Sequence, residues 1–265
     1  MTKRCIKLMV LAVLVCGIFS VGAGGAAQAA KLVVNGNLRA LSGDDLLLPN
    51  GRTLHLLGIK SPPRDQGKLA EISADALTQI VDQSVLDYDD SITDRYRRIV
   101  AQVYAVDASG KKIWLQQELL RQGMVIVYPP MGNEPRLNDM LAAEQEAYQQ
   151  HRGVWADRVY ADIAAGQAQD VYGRYAFVVG KVVKAERIKN KLYLNFGDNW
   201  RTDFTVAIMA RDLKNFRRVD VDPLDYANKT IRVRGWVKRD YGPMIDVTDP
   251  HQIQIMPDVA APKRR

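Results

Sequence analysis

Cysteine is almost missing from this chain of 265 residues: there are two, Cys5 and Cys16. Everything beyond them has no thiol with which to close a disulfide, ligate a metal or attack a substrate. Histidine is scarce as well, with His55, His151 and His251 far apart and without paired-carboxylate spacing, which removes the usual histidine-based metal centres. No GxxxxGK phosphate loop and no GxSxG elbow occurs. The N-terminal apolar run, residues 8–21, falls short of the about 20 residues that cross a bilayer.

What is present builds real cores, because 47% of residues are hydrophobic and 25% charged. The apolar run at 8–21 follows Lys3, Arg4 and Lys7 and leads to Ala27-Gln28-Ala29. That layout reads as a secretory signal over residues 1–29, so the mature chain is expected to be exported, periplasmic or extracellular, with no membrane span after cleavage. Loss of those three basic residues lowers the formal charge from +7 to +4, as 34 basic side chains then face 30 acidic ones. A mild positive balance permits a polyanionic partner without demanding one.

From residue 32 the chain reads as a β-meander. Turns at Ser42-Gly43-Asp44-Asp45 and Pro49-Asn50-Gly51 separate apolar segments, the last running from Thr53 to Ile59. Leu69, Ile72, Ala76, Leu77 and Ile80 predict one face of a helix, and residues 85–88 a further strand. The stretch from Asp94 to Tyr128 is the most informative. It opens with the charged turn Asp94-Arg95-Tyr96-Arg97-Arg98 and continues as a strand over 99–106 and a turn at Asp107-Ala108-Ser109-Gly110. A helix around Trp114 to Leu120 follows, capped by Gly123, and then an apolar strand to Tyr128. Leu137 to Gln150 predicts another helix, closing at Gly153-Val154-Trp155.

The Asp-Arg-Tyr-x-Arg turn, the strand, the helix with its RQG exit and the LAAEQEAYQQHRGVW ending together resemble the staphylococcal-nuclease (thermonuclease-like) family, over residues 32–156. The resemblance implies an OB-fold five-stranded barrel with helices. It also implies a phosphodiesterase that uses carboxylate-bound calcium, two phosphate-clamping arginines and a glutamate acting on water. Matched position by position, this chain keeps the second arginine as Arg98, the candidate catalytic residue, and one metal aspartate as Asp44. The first arginine is replaced by His55, the second metal aspartate by Lys60 and the glutamate by Pro63. A lysine in place of a calcium ligand adds repulsion of about 2 kcal/mol at 4 Å even in water. No metal cofactor is therefore expected, calcium entering only if an altered nuclease operates with Asp44 and Asp65 as its carboxylates. An ammonium at Lys60 can instead meet an anion directly. The ligand-binding set implied is Lys60, Arg95, Tyr96 and Tyr128, the tyrosines matching positions that line the family's nucleotide pocket. No matched carboxylate orients His55, which reads as an ordinary strand histidine.

Residues 157–169 are alanine-rich and read as a helical connector, and residues 257–265 as a disordered tail. Between them, over 170–256, five strand-like runs and the placing of Gly180, Gly197 and Gly235 resemble a second OB-like β-barrel. Tyr193, Phe196, Trp200 and Phe204 beside Arg201 offer either a stacking platform or simply the core of that barrel. The chain is thus expected to be mostly β (α+β). It would bind nucleic acid, another anion or a protein partner without efficient hydrolysis, a working phosphodiesterase and a structural envelope module being the alternatives.

Overall fold

A computed structural model describes residues 30–32, 38–89, 91–129 and 136–257. The leader at 1–29, the loop at 130–135 and the tail from 258 on lie outside the described residues.

Among the described residues, ten short strands and three α-helices form the first part of the chain. β1 (Ala30–Leu32), β2 (Arg39–Ser42), β3 (Asp45–Leu47), β4 (Thr53–Leu56) and β5 (Ile59–Lys60) precede α1 (Lys68–Val81). β6 (Val85–Tyr88), β7 (Ile99–Ala101), β8 (Tyr104–Val106), β9 (Lys112–Trp114), α2 (Leu115–Arg121), β10 (Ile126–Val127) and α3 (Leu137–Gln149) follow. Strand pairing runs β2-β3-β4-β7 in one sheet and β1-β6-β8-β9 in another, with β5 on β10. Alternation sets the inward face: Leu54 and Leu56 are buried while Thr53 and His55 look outward. α1 presents Ser73, Leu77 and Val81, one helical repeat apart, to the same core.

The single strand expected over 99–106 is broken at Gln102 and Val103, and its halves join different sheets. Buried Gln116 repairs the break. Its Oε1 accepts from the Val103 N–H at 3.2 Å and its Nε2 donates to the Ala101 carbonyl at 2.9 Å. The RQG and RGVW motifs also meet. Gly123 and Gly153 both have positive φ, and a Cβ on Gly153 would lie 2.1 Å from the Gly123 carbonyl oxygen, so neither position accepts a side chain without movement. The Val154 N–H donates to that same carbonyl at 2.8 Å.

Residues 157–169, expected as a helical connector, are helical only in 3-10 pieces around a short strand. They form a 3-10 turn at Arg158–Tyr160, then β11 (Asp162–Ala164) and a longer 3-10 stretch at Ala165–Val171. β11 pairs parallel with β12 (Tyr175–Lys181), while Ala165 and Ala168 lie in the 3-10 stretch that follows. Beyond lie β13 (Lys184–Ile188), β14 (Lys191–Asn195), β15 (Thr205–Met209), α4 (Leu213–Arg217), β16 (Thr230–Asp240), β17 (Gly242–Val247) and β18 (Ile253–Ile255). All five strands expected here are present, and β11, β13 and β18 add to them.

Pairing runs β11-β12-β16-β17-β15-β14-β13, with β15 and β17 parallel and β18 on β16. β12 and β13 are consecutive segments separated only by Val182 and Val183, so the path returns to the stretch of chain from which it started. No ladder joins β12 to β13 directly. Among the described residues neither part is a barrel closed by strand pairing alone, and the architecture is mostly β (α+β) with several sheets.

Two cores, one from Leu38 to Ala143 and one from Ala168 to Ile253, are bridged by a third cluster of Ile126, Ala147, Val154, Trp155, Tyr160 and Phe177. Beside that cluster, Arg232 of β16 donates from Nε to Asp162 at 2.6 Å and lies over the rings of Phe177 and Tyr148 at 4.1 and 4.5 Å. Arg234, also of β16, reaches Glu144 of α3. The two cores are packed together.

Candidate anion-binding cleft

The turn between β2 and β3 places two adjacent carboxylates differently. Asp44 is turned inward, 9% exposed, and its Oδ1 accepts from the hydroxyls of Ser42 and Ser61 at 2.6 and 2.7 Å. Asp45 begins β3 and points the other way. The β3–β4 register sets Asp45 opposite His55, and the two are joined Oδ1 to Nδ1 at 2.7 Å. His55 is therefore oriented by a carboxylate after all. Motif matching overlooked this because Asp45 is not a matched functional position, whereas antiparallel pairing across the turn brings it there.

Asp45 also claims Arg98. The Arg98 Nη1 donates to both Asp45 oxygens at 3.1 and 3.0 Å, and its Nε to Asp94 at 2.8 Å. Partial burial works to lower the guanidinium pKa, but Asp94 and Asp45 outweigh it and hold it above the ordinary arginine value. Partial burial likewise works to raise the Asp94 carboxyl. The backbone N–H of Arg98, the Arg98 guanidinium and the N–H of Tyr96 prevail, keeping Asp94 below the usual carboxylate range. Arg98 is thus held between two carboxylates.

Lys60, at the end of β5, lines a cleft of about 730 Å³ together with Asp44, Asp45 and Arg98. Arg39 and Arg64 add cations to its walls, and Glu71 and Asp75 of α1 add carboxylates, so four positive side chains face four negative ones. Lys60 makes no ion pair among the described residues. Its Nζ lies 5.1 Å from the centre of the Tyr128 ring. Lys60 also lines a second, smaller cavity of about 230 Å³ between the two cores, with Pro63, Asp65, Arg174, Tyr175 and Trp236.

The sequence-derived set is therefore only partly gathered. Asp44, Lys60 and Arg98 share the cleft, while Arg95 and Tyr96 stand outside its lining on the exposed turn, Tyr96 with Arg98 5.5 Å from its ring centre. Tyr128 lies beside Lys60 and is joined to Tyr175 and Trp236, two residues that line the second cavity. Asp65 lines that cavity as well and does not line the cleft. Sequence reasoning missed Trp236 and Tyr175 because nothing local marks them: they come together only when β12 and β16 pair, Tyr175 opposite Trp236.

The donors present do not fit a calcium ion. Asp44 spends one oxygen on two hydroxyl donors, Asp45 is bound to Arg98 and His55, and the Lys60 ammonium lines the same cleft. Among the described residues no group of three or more Asp, Glu or His is placed to hold a metal.

In the second core, Phe204 is buried against Phe196, with ring centres 4.8 Å apart, as core residues. Trp200 is exposed instead and meets Tyr241, ring centres 5.1 Å apart, with Arg201 5.0 Å from the Trp200 ring centre.

No helix among the described residues is long and apolar enough to cross a membrane. No curated protein matches the chain. Residues 53–157 match the family described as Staphylococcal nuclease homologue, a stretch that contains His55, Lys60, Arg98 and Tyr128 and begins after Asp44 and Asp45. The chain carries a staphylococcal-nuclease-like domain over residues 53–157.

Proposed function

We propose that this is an exported nuclease-like protein that binds an anionic ligand through Lys60 and does not hydrolyse it. One observation carries the reading: Lys60 is unpaired among the described residues and open to two cavities, at a position where the family resemblance implies a carboxylate. An ammonium there attracts the phosphate or carboxylate that a metal would have bridged. Arg98 is already engaged by Asp45 and Asp94, so it stabilises the cleft more than it clamps a substrate. Asp65 lines the inter-core cavity and not the cleft, so the altered phosphodiesterase that pairs it with Asp44 has less support. The export part of the reading rests on the signal layout of residues 1–29.

The test is to incubate purified protein with single-stranded DNA and calcium, measuring binding and cleavage separately. Binding that weakens as salt rises and falls further in Lys60→Met, without cleavage, is expected. Cleavage that disappears in Arg98→Ala would overturn the reading in favour of a phosphodiesterase. Equal binding by Lys60→Met and the native protein would remove Lys60 from the ligand site.

A further inference from the structure

The small cavity between the cores differs in kind from the cleft. Its described charged side chains are Lys60 and Arg174 against Asp65 alone, whereas the cleft is balanced four to four. Arg174 is exposed and makes no ion pair among the described residues. Aromatic rings form one side. Tyr175 meets Tyr128 edge to face at 5.0 Å and Trp236 at 6.0 Å, and the Trp236 indole N–H donates to the Tyr128 hydroxyl at 3.2 Å. That bond fixes the ring while leaving Trp236 50% exposed, a large apolar area that the fold itself leaves uncovered.

A second feature points the same way. Tyr175 lines the cavity, and its hydroxyl is buried without a hydrogen-bond partner among the described residues. Burial raises the phenol pKa far above its ordinary value, so the group remains a donor throughout the working pH range. An unpaired buried hydroxyl costs stability, and a small movement of the Tyr175 ring would be needed to offer its O–H to an acceptor in the cavity.

Resting on the reading that Lys60 binds an anion, we infer that the inter-core cavity is the ligand site, taking a small planar ring that carries an acidic group. The ring packs on Trp236, and the acid is held by Lys60 and Arg174. At about 230 Å³ the cavity suits one ring with its acid and not an extended polymer. Two sources share this chemistry: a nucleoside monophosphate, and an aromatic residue bearing a free carboxylate.

Calorimetric titration of the native protein with adenosine 5′-monophosphate, N-acetyl-phenylalanine, adenosine and inorganic phosphate tests the site and separates the sources. At least one ring-bearing acid should bind roughly tenfold or more tightly than inorganic phosphate, through its ring, and than uncharged adenosine, through its acid. Trp236→Ala and Lys60→Met should each lower that affinity about tenfold, and Trp236→Phe should restore much of the first loss. Far-UV circular dichroism and melting temperature verify that each variant is folded. Ring-bearing acids that bind no better than phosphate, or a folded Trp236→Ala that binds as the native protein does, overturn the inference. If Trp236→Ala is silent while Lys60→Met loses oligonucleotide binding, the site is wrong and the anion-binding reading stands. If Lys60→Met is silent for every anion, both fall.

Discussion

Arg234 and Glu144 form a two-point ion pair in the buried contact between the cores, with Nη1 to Oε1 at 3.0 Å and Nη2 to Oε2 at 2.6 Å. Burial works to lower the Arg234 pKa, but the Glu144 charge outweighs it and keeps the guanidinium charged. Glu144 Oε1 also accepts from the Val127 N–H at 2.8 Å, so one carboxylate ties α3, β10 and β16 together.

Removing one partner of this pair should cost far more than removing both. Glu144→Gln leaves an arginine buried without its counter-ion, and about 3–5 kcal/mol of unfolding free energy should be lost. The double variant Glu144→Leu with Arg234→Leu should be clearly more stable than Glu144→Gln. Urea denaturation of the three proteins is the measurement.

Asp45→Asn should strengthen anion binding in the cleft. It removes one of the two carboxylates on Arg98 and leaves the four cations of the cleft facing three carboxylates. Phosphate affinity measured by calorimetry should rise, and an unchanged value would mean that Arg98 remains shielded by Asp94 alone.

Acid should weaken the charged turn. The Asp94 carboxyl is held below its ordinary value in the folded protein, so its contribution is fully present above the unfolded carboxylate pKa near 4 and is lost as pH falls through the lower folded value. Asp94→Asn should therefore show a shallower fall in melting temperature between about pH 4 and pH 2 than the native protein.

Millimolar calcium should leave the melting temperature unchanged. A resident site filled to 100 times its dissociation constant would add about 2.7 kcal/mol, a shift of several degrees. A calcium-dependent rise that Asp44→Asn abolishes would show that the cleft holds the ion despite Lys60.

Gly153→Ala should destabilise by more than about 1 kcal/mol, because the added methyl meets the Gly123 carbonyl and φ is 53° there. Chemical denaturation gives the value, and Gly51→Ala, at a positive φ but with open space around it, serves as the milder control.

Legibility in the sequence followed the range of the interactions. α1, β6, α2 with its Gly123 cap and α3 were readable because apolar spacing and turn residues are local signals. The break at Gln102 and Val103 was not, since the compensating Gln116 is contributed by a helix of the next segment. At the site, Lys60 and Arg98 could be located by motif position, but their partners could not. Asp45 reaches His55 and Arg98 only through strand register and a 53-residue separation, and Trp236 meets Tyr128 across 108 residues. The alanine-rich segment at 157–169 was legible only in part: it is helical as 3-10 turns, but the short strand between them forms only because β12 lies alongside.

That segment is not a tether. With β11 hydrogen-bonded to β12 and Asp162 held by Tyr148 of α3 and Arg232 of β16, the strand leaving the nuclease-like part is already built into the next sheet. No slack remains for the cores to swing apart, so a molecule lodging between them meets a gap of preset width. Little conformational entropy is then lost on binding, and selectivity there is a matter of shape before it is one of charge.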